Sequence, residues 1–154
     1  MGLSGCVGDE AFDPQTWDAP GQNARIESVL IRYAHVAEPR GEPWKRGADV
    51  PAYLWLFNEG REPDRLVGAS TPNAASVSIV DGQGKPLPGG VELPPNQLRQ
   101  LEPGKEHLLL RDVREVVRGG DFMKITLRFE KAGSVTFNIQ AQVPVYDPSP
   151  TPAK

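Results

Sequence analysis

The chain is short of the residues from which most reactive sites are built. It has one cysteine, two histidines and two methionines in 154 residues. The single cysteine, Cys6, excludes any disulfide within the chain. The two histidines are His35 and His107, and Met123 is the one methionine besides the initiator. That is little material for acid–base chemistry or for a metal cage. No apolar run reaches the roughly 20 residues of a spanning helix, so the chain is not expected to cross a membrane that way. Excess positive charge is missing too. A formal charge of −3 and a pI near 5.4 argue against nucleic acid as a partner. No serine, threonine or cysteine stands in a motif with a base and an orienting group, and the glycine-rich stretch from Gly82 to Gly90 lacks the Gly-Lys-Ser/Thr of a phosphate cradle. An enzyme is not expected.

Turn residues and short apolar runs are plentiful instead. Glycine and proline number 16 each, and the hydrophobic share of 38% is enough for a core. Such punctuation between β-branched and aromatic runs favours an all-β fold. The stretch PAYLWLFN, Pro51 to Asn58, is the best candidate for a central strand, because Ala52, Leu54 and Leu56 alternate with Tyr53, Trp55 and Phe57 and leave no polar face. Runs at Arg65 to Ala69 and Ala75 to Val80 follow after short polar turns, and the three are expected to form an antiparallel meander. A first strand is expected over Arg25 to Val36, with His35 on the face of Val29. Shorter strands follow at Val91 to Leu93, Leu98 to Leu101 and His107 to Leu110. The run Phe122 to Glu130 and the alternation of Val135, Phe137 and Ile139 read as a hairpin with one buried face. Two packed antiparallel sheets, a β-sandwich, bury such a set most simply. Trp44, Tyr53, Trp55 and Phe57 are expected in the core; Tyr53 and Trp55 would mark a protein contact patch if they shared an exposed face.

The order Leu3-Ser4-Gly5-Cys6 matches a bacterial lipobox, in which small residues precede a cysteine whose thiol carries the lipid. Met1 and Gly2 alone precede it, so the expectation is a sequence that starts beside the cleavage point or at a misplaced start codon. An ordinary exposed cysteine is the plainer alternative. The polar, turn-rich stretch that follows reads as a spacer. The expected organisation is therefore a lipobox and tether over residues 1–23, one β-sandwich domain over 24–145 and a proline-rich tail over 146–154.

Several segments together carry a family resemblance: PAYLWLFNEGREPDRLVGASTPNAASVSI, LPGGVELPP, LEPGKEHLLL and ITLRFEKAGSVTF. From about Ala52 to Val143 the chain resembles the periplasmic copper chaperones of the PCu(A)C family. The resemblance implies a cupredoxin-like, immunoglobulin-like Greek-key sandwich and a Cu(I) site built from histidine and methionine. In that family an early histidine or methionine, a loop methionine and a later His-x-Met pair supply the donors, and soft thioethers with imidazole suit Cu(I). By matching position His107 is the late histidine, Leu109 stands where its methionine partner would be, and Val80 stands where the early ligand would be. The loop DGQGKPLPGG contains no methionine. A substitute site from His35, His107 and Met123 would need the first strand to meet the end of the sandwich that carries His107.

Two functions follow from the resemblance. One is a lipid-anchored, extracytoplasmic copper-handling protein on the outer face of the cytoplasmic membrane, serving assembly of cytochrome oxidase with an incomplete copper site. The other is an accessory module of the same fold that docks on a membrane respiratory complex without metal.

Overall fold

The computed structural model describes residues 22–143, and within them every regular element is a strand. Cys6, most of the expected tether and the proline-rich tail lie outside the described residues. The strands are β1 (Gln22–Ile26), β2 (Val29–Val36), β3 (Val50–Asn58), β4 (Asp64–Ser70) and β5 (Ala74–Val80). They continue as β6 (Val91–Leu93), β7 (Leu98–Leu101), β8 (His107–Val113), β9 (Phe122–Phe129) and β10 (Gly133–Gln140). The hydrogen-bonded path runs β1-β2-β3-β8-β5-β4-β9-β10, with β6 added to β4 and β7 to β3. All of these pairings are antiparallel. A parallel bridge from Val36, at the end of β2, to Ala141, just after β10, links the two sides of the path, so the sandwich nearly closes on itself. The all-β antiparallel expectation therefore holds.

The core forms where strand alternation and apolar residues coincide. On β3, Ala52, Leu54 and Leu56 are buried inward, and on β9 Ile125, Leu127 and Phe129 face them from the other layer. The expected β9–β10 hairpin is present, with a register that runs from Gly133 opposite Phe129 to Gln140 opposite Phe122. Met123 is a core residue at 5% exposure. On β8, Leu108 and Leu110 point inward while His107 and Leu109 point out.

Three expectations change. First, the run from Arg25 to Val36 is two strands: the chain reverses at Glu27 and Ser28, with Ile26 opposite Val29 and Glu27 in the left-handed region at φ 51°. Serine is a common turn residue, but Glu27, which takes the left-handed conformation, is not. Second, the meander is incomplete. Strand β4 is next to β5, but β3 is flanked by β2 on one edge and by β7 and β8 on the other, so it has no edge left for β4. The loop after Asn58 crosses to the opposite layer instead. Third, Tyr53, Trp55 and Phe57 lie on the outer face of β3, half-buried, and the smaller aliphatics fill the core.

A β-bulge in β2 decides the face on which His35 sits. Arg32 is opposite Trp55, but His35 is opposite Tyr53, so Tyr33 and Ala34 together face the single residue Leu54. Tyr33 takes φ 61°, a conformation that a bulky L residue adopts only when its surroundings impose it. Because strand side chains alternate with a period of two, the extra residue reverses the order of faces. Val29 and Ile31 point inward before the bulge, and Ala34 and Val36 do so after it. His35 therefore leaves the face of Val29 and joins the outer face.

The crossing from β3 to β4 is held by Asn58, which is 2% exposed. Its side-chain amide donates to the carbonyls of Glu62 (2.8 Å) and Leu93 (2.9 Å), and its Oδ1 accepts from the Gly60 N–H (2.8 Å). Asp64 performs the matching task at the start of β4. Its carboxylate accepts from the N–H groups of Arg65, Lys131 and Ala132 at 2.7, 2.8 and 3.0 Å, tying β4 to the β9–β10 turn. Gly90 is required where β6 approaches β4: at φ 73°, any Cβ there would collide with the Leu66 carbonyl. Asn58→Ala leaves buried backbone groups without partners and is expected to lower the unfolding free energy by about 2–4 kcal/mol. Urea unfolding with an unchanged m-value checks this; a loss below about 1 kcal/mol would show that water replaces the amide.

Candidate metal centre

The positions matched to the family's copper donors come together on the outer face of β5 and β8. Val80 is directly opposite His107, and Ser78 is opposite Leu109. Directly opposed residues share a face, so Val80, His107 and Leu109 form one cluster. His107 is half-exposed, and its Nδ1–H donates to the Lys105 carbonyl at 2.7 Å. A carbonyl can only accept, so the proton is on Nδ1 and Nε2 offers its lone pair, as a metal-ligating imidazole must.

The neighbouring groups are aliphatic. Val80 is fully buried, covered by the 81–90 loop, which folds back so that Pro86 bridges Val80 and the Leu87 N–H donates to the Ile79 carbonyl at 2.9 Å. Asp81 shapes that loop: its Oδ1 accepts from the Gln83 and Lys85 N–H groups at 2.8 and 3.0 Å. The Lys85 bond, then the Gln83 bond, hold the Asp81 carboxyl below the usual carboxylate range. Gly82 is pressed against the Gly104 carbonyl with no room for a Cβ. Sulfur is absent from the loop, and Leu109 supplies no donor.

His35 and Met123 are not joined to this cluster. Met123 lies on β9, whose partners are β4 and β10. His35 is two strands from His107, with Tyr53 between them, and backbones two strands apart are separated by roughly 10 Å. The described residues contain no group of three His, Cys, Asp or Glu side chains able to hold a metal ion.

What the outer face does contain is a row of rings. Trp55 meets Tyr33 (centroids 5.4 Å), Tyr33 meets His35 (4.5 Å), His35 meets Tyr53 (5.6 Å) and Tyr53 meets His107 (5.5 Å). Tilted and edge-on contacts of this kind bring a positive ring edge to a negative ring face. His35, 7% exposed, donates its Nδ1–H to the Tyr33 carbonyl at 2.8 Å. Burial pushes the His35 imidazole below its ordinary value of 6.5, and the bond to Tyr33 offsets only part of this. Burial likewise pushes the Tyr53 phenol up, so it stays neutral. Sequence reasoning missed this row. Its one signal was the Tyr33-x-His35 spacing beside Tyr53-x-Trp55, and the bulge changes which faces those spacings select.

The antiparallel sandwich is shared with PCuAC domains of known structure. The copper-bound PCuAC domain from PmoF2 is 26% identical, with a TM-score of 0.67, over 80% of this chain and 99% of that one. The apo PCuAC domain from PmoF1 is 27% identical, with a TM-score of 0.69, over 80% of this chain and all of that one. The Cu(I) form of DR1885 from Deinococcus radiodurans shares the fold at 22% identity and a TM-score of 0.56, over 79% of this chain and 80% of that one. No curated protein matches the chain significantly. The chain belongs to the LpqE-like family, "Putative lipoprotein LpqE-like", whose model matches residues 29–143.

The buried His35 imidazole makes stability depend on pH. An unfolded chain takes up this proton near pH 6.5, while the folded chain resists until a lower pH. Stability is therefore expected to be full above that point and to fall as the pH drops through 6.5 towards the depressed native value. Urea unfolding between pH 7.5 and 5, about the range in which imidazole titrates, should show this slope in the wild type. The slope should be reduced in His35→Gln, and an equal slope in both proteins would mean that the imidazole is not desolvated.

Proposed function

We propose that this protein is an extracytoplasmic, lipid-anchored member of the copper-handling PCuAC group that serves respiratory oxidase assembly through a copper site reduced to His107. The observation that carries this reading is the pairing of Val80 with His107 and the position of Leu109 on the same face: the ligand positions are adjacent, yet a single imidazole supplies the donors. One neutral imidazole with an oriented Nε2 holds Cu(I) weakly, because two-coordinate or higher soft-donor sets give that ion its affinity. The role is binding, with no catalytic group assigned. The copper-bound PmoF2 domain and the membership of a lipoprotein-type family support it. Lipidation of Cys6 would hold the domain against the outer face of the cytoplasmic membrane and raise its effective concentration near a membrane client.

The replacement of soft donors by Val80 and Leu109 favours a second reading. In it the sandwich works as an accessory module that docks on a membrane respiratory complex without metal, its contacts made by the outer aromatic face of Tyr53 and Trp55.

Titration with Cu(I) against a competing chelator separates the two. The copper reading expects weak binding that disappears in His107→Ala. Leu109→Met, a change of nearly equal volume, restores a His-x-Met pair and should tighten Cu(I) by about tenfold or more without altering the fold. If the wild type holds Cu(I) no better than His107→Ala does, the copper role fails. Recovery of a stoichiometric complex from gently solubilised membranes then carries the accessory reading. The anchor has its own check: Cys6→Ala is expected to shift the protein from the membrane to the soluble fraction, and an unchanged distribution would count against lipidation.

A further inference from the structure

Beside the histidine cluster a cleft of about 570 Å³ opens over β2 and β3. Its floor carries the rings of Tyr33, His35 and Tyr53, and Trp44 forms a wall. These rings are fixed. Tyr33 is set by the bulge, and Trp44 is pinned by its indole N–H to the Ala37 carbonyl (2.9 Å) and by paired backbone bonds to Val117. Aromatic faces held this way present negative potential to whatever enters.

Three carboxylates stand among the polar groups of the lining, alongside the Tyr33 and Tyr53 hydroxyls and the Gln142 amide, which can both donate and accept. Glu38 and Glu42 come from the loop after β2, and Glu102 comes from the turn after β7. Glu102 is oriented by the Trp55 indole N–H at 2.8 Å. His35 is more than nine-tenths buried and lines the cleft; its Nδ1–H is committed to the Tyr33 carbonyl, which leaves the Nε2 lone pair unpartnered. Arg40 is the one permanent cation of the lining. It is exposed and makes no ion pair with these carboxylates among the described residues. Three carboxylates, an imidazole lone pair and ring faces together are complementary to a ligand that brings both N–H groups and positive charge.

We propose that this cleft binds an organic cation bearing a guanidinium group. A planar guanidinium stacks on Tyr53 or Trp44 while its fork of N–H donors meets the carboxylates and His35 Nε2. A compact ammonium satisfies the charge but not the stacking, so it binds less well. The cleft is large enough for a side chain with its flanking backbone. This assignment does not rest on copper binding at His107, and its failure leaves that reading untouched.

The test uses the full chain labelled with nitrogen-15, with the Trp44 indole N–H and the His35 ring followed by two-dimensional NMR. The probes are arginine amide, the peptide Gly-Arg-Gly-amide, lysine amide and Cu(I). Both arginine probes should give saturable shifts of the Trp44 and His35 signals, with lysine amide weaker. The double variant Glu38→Gln/Glu42→Gln changes solvent-reaching side chains and should weaken arginine binding about tenfold, as should Tyr53→Leu. Tighter binding of the peptide assigns the site to a basic segment of a partner polypeptide; equal binding assigns it to a free small cation. Absence of a saturable shift, equal affinity in the double variant, or a response to Cu(I) alone would overturn the proposal.

Discussion

The period of two along a β-strand is the constraint on which the rest of this molecule depends, and β2 breaks it once. The extra residue at Tyr33 and Ala34, both opposite Leu54, lets one strand serve two requirements. Before the break, Val29 and Ile31 fill the core; after it, Ala34 and Val36 do, so the core stays continuous. His35, which an unbroken strand would bury among aliphatics, instead stands on the outer face against Tyr33 and Tyr53. The left-handed conformation of Tyr33 is the energetic counterpart of that switch, of the order of 1–3 kcal/mol for such backbone strain. It is offset by ring contacts and by the His35 hydrogen bond, which begin at the same residue.

How much of this was legible in the sequence depended on whether local pattern or tertiary choice decided the outcome. The β9–β10 hairpin was readable because Ile125, Leu127 and Phe129 alternate strictly with polar residues and Gly133 ends the turn at φ 99°. The reversal at Glu27 and Ser28 was not, since a lone serine is a weak turn signal, Glu27 is an unusual residue for the left-handed region, and the conformation is imposed by pairing on both sides. The loop after Asn58 illustrates a different limit. Asn, Gly and Pro announce that a strand ends there, but the same residues serve a hairpin or a crossing, and occupancy of both β3 edges by β2, β7 and β8 determines which. The outer aromatics of β3 were taken for core because a strand apolar on both faces reads as buried on both. In the structure the 37–44 loop and the β7–β8 turn half-cover them instead.

The candidate centre is held in place by backbone pairing and by bonds local to its own turns. Val80 and His107 are opposed across the β5–β8 ladder, and the Asp81 loop closes over that end. The packing around Val80 is complete, so that position now contributes to the hydrophobic interior of the loop. His107 is oriented by the bond from Nδ1–H to the Lys105 carbonyl, which is local to its own turn and needs no other side chain. The same i to i−2 bond fixes His35. Both imidazoles thus present a lone pair from Nε2, one near solvent and one nearly enclosed, with the neutral Tyr53 phenol between them.

The bridge from Val36 to Ala141, with the Gln142 N–H donating to the Val36 carbonyl, has a consequence for association. A strand at the margin of an open sheet advertises unpaired amides and carbonyls, and other chains extend the sheet there, whether as ligands or as aggregates. At this one point the end of β2 and the residues after β10 satisfy each other's backbone groups, so a companion strand finds no free pairing there. Lengthening of the ladder is thereby confined to the strands that pair along one edge only, β1, β6, β7 and β10.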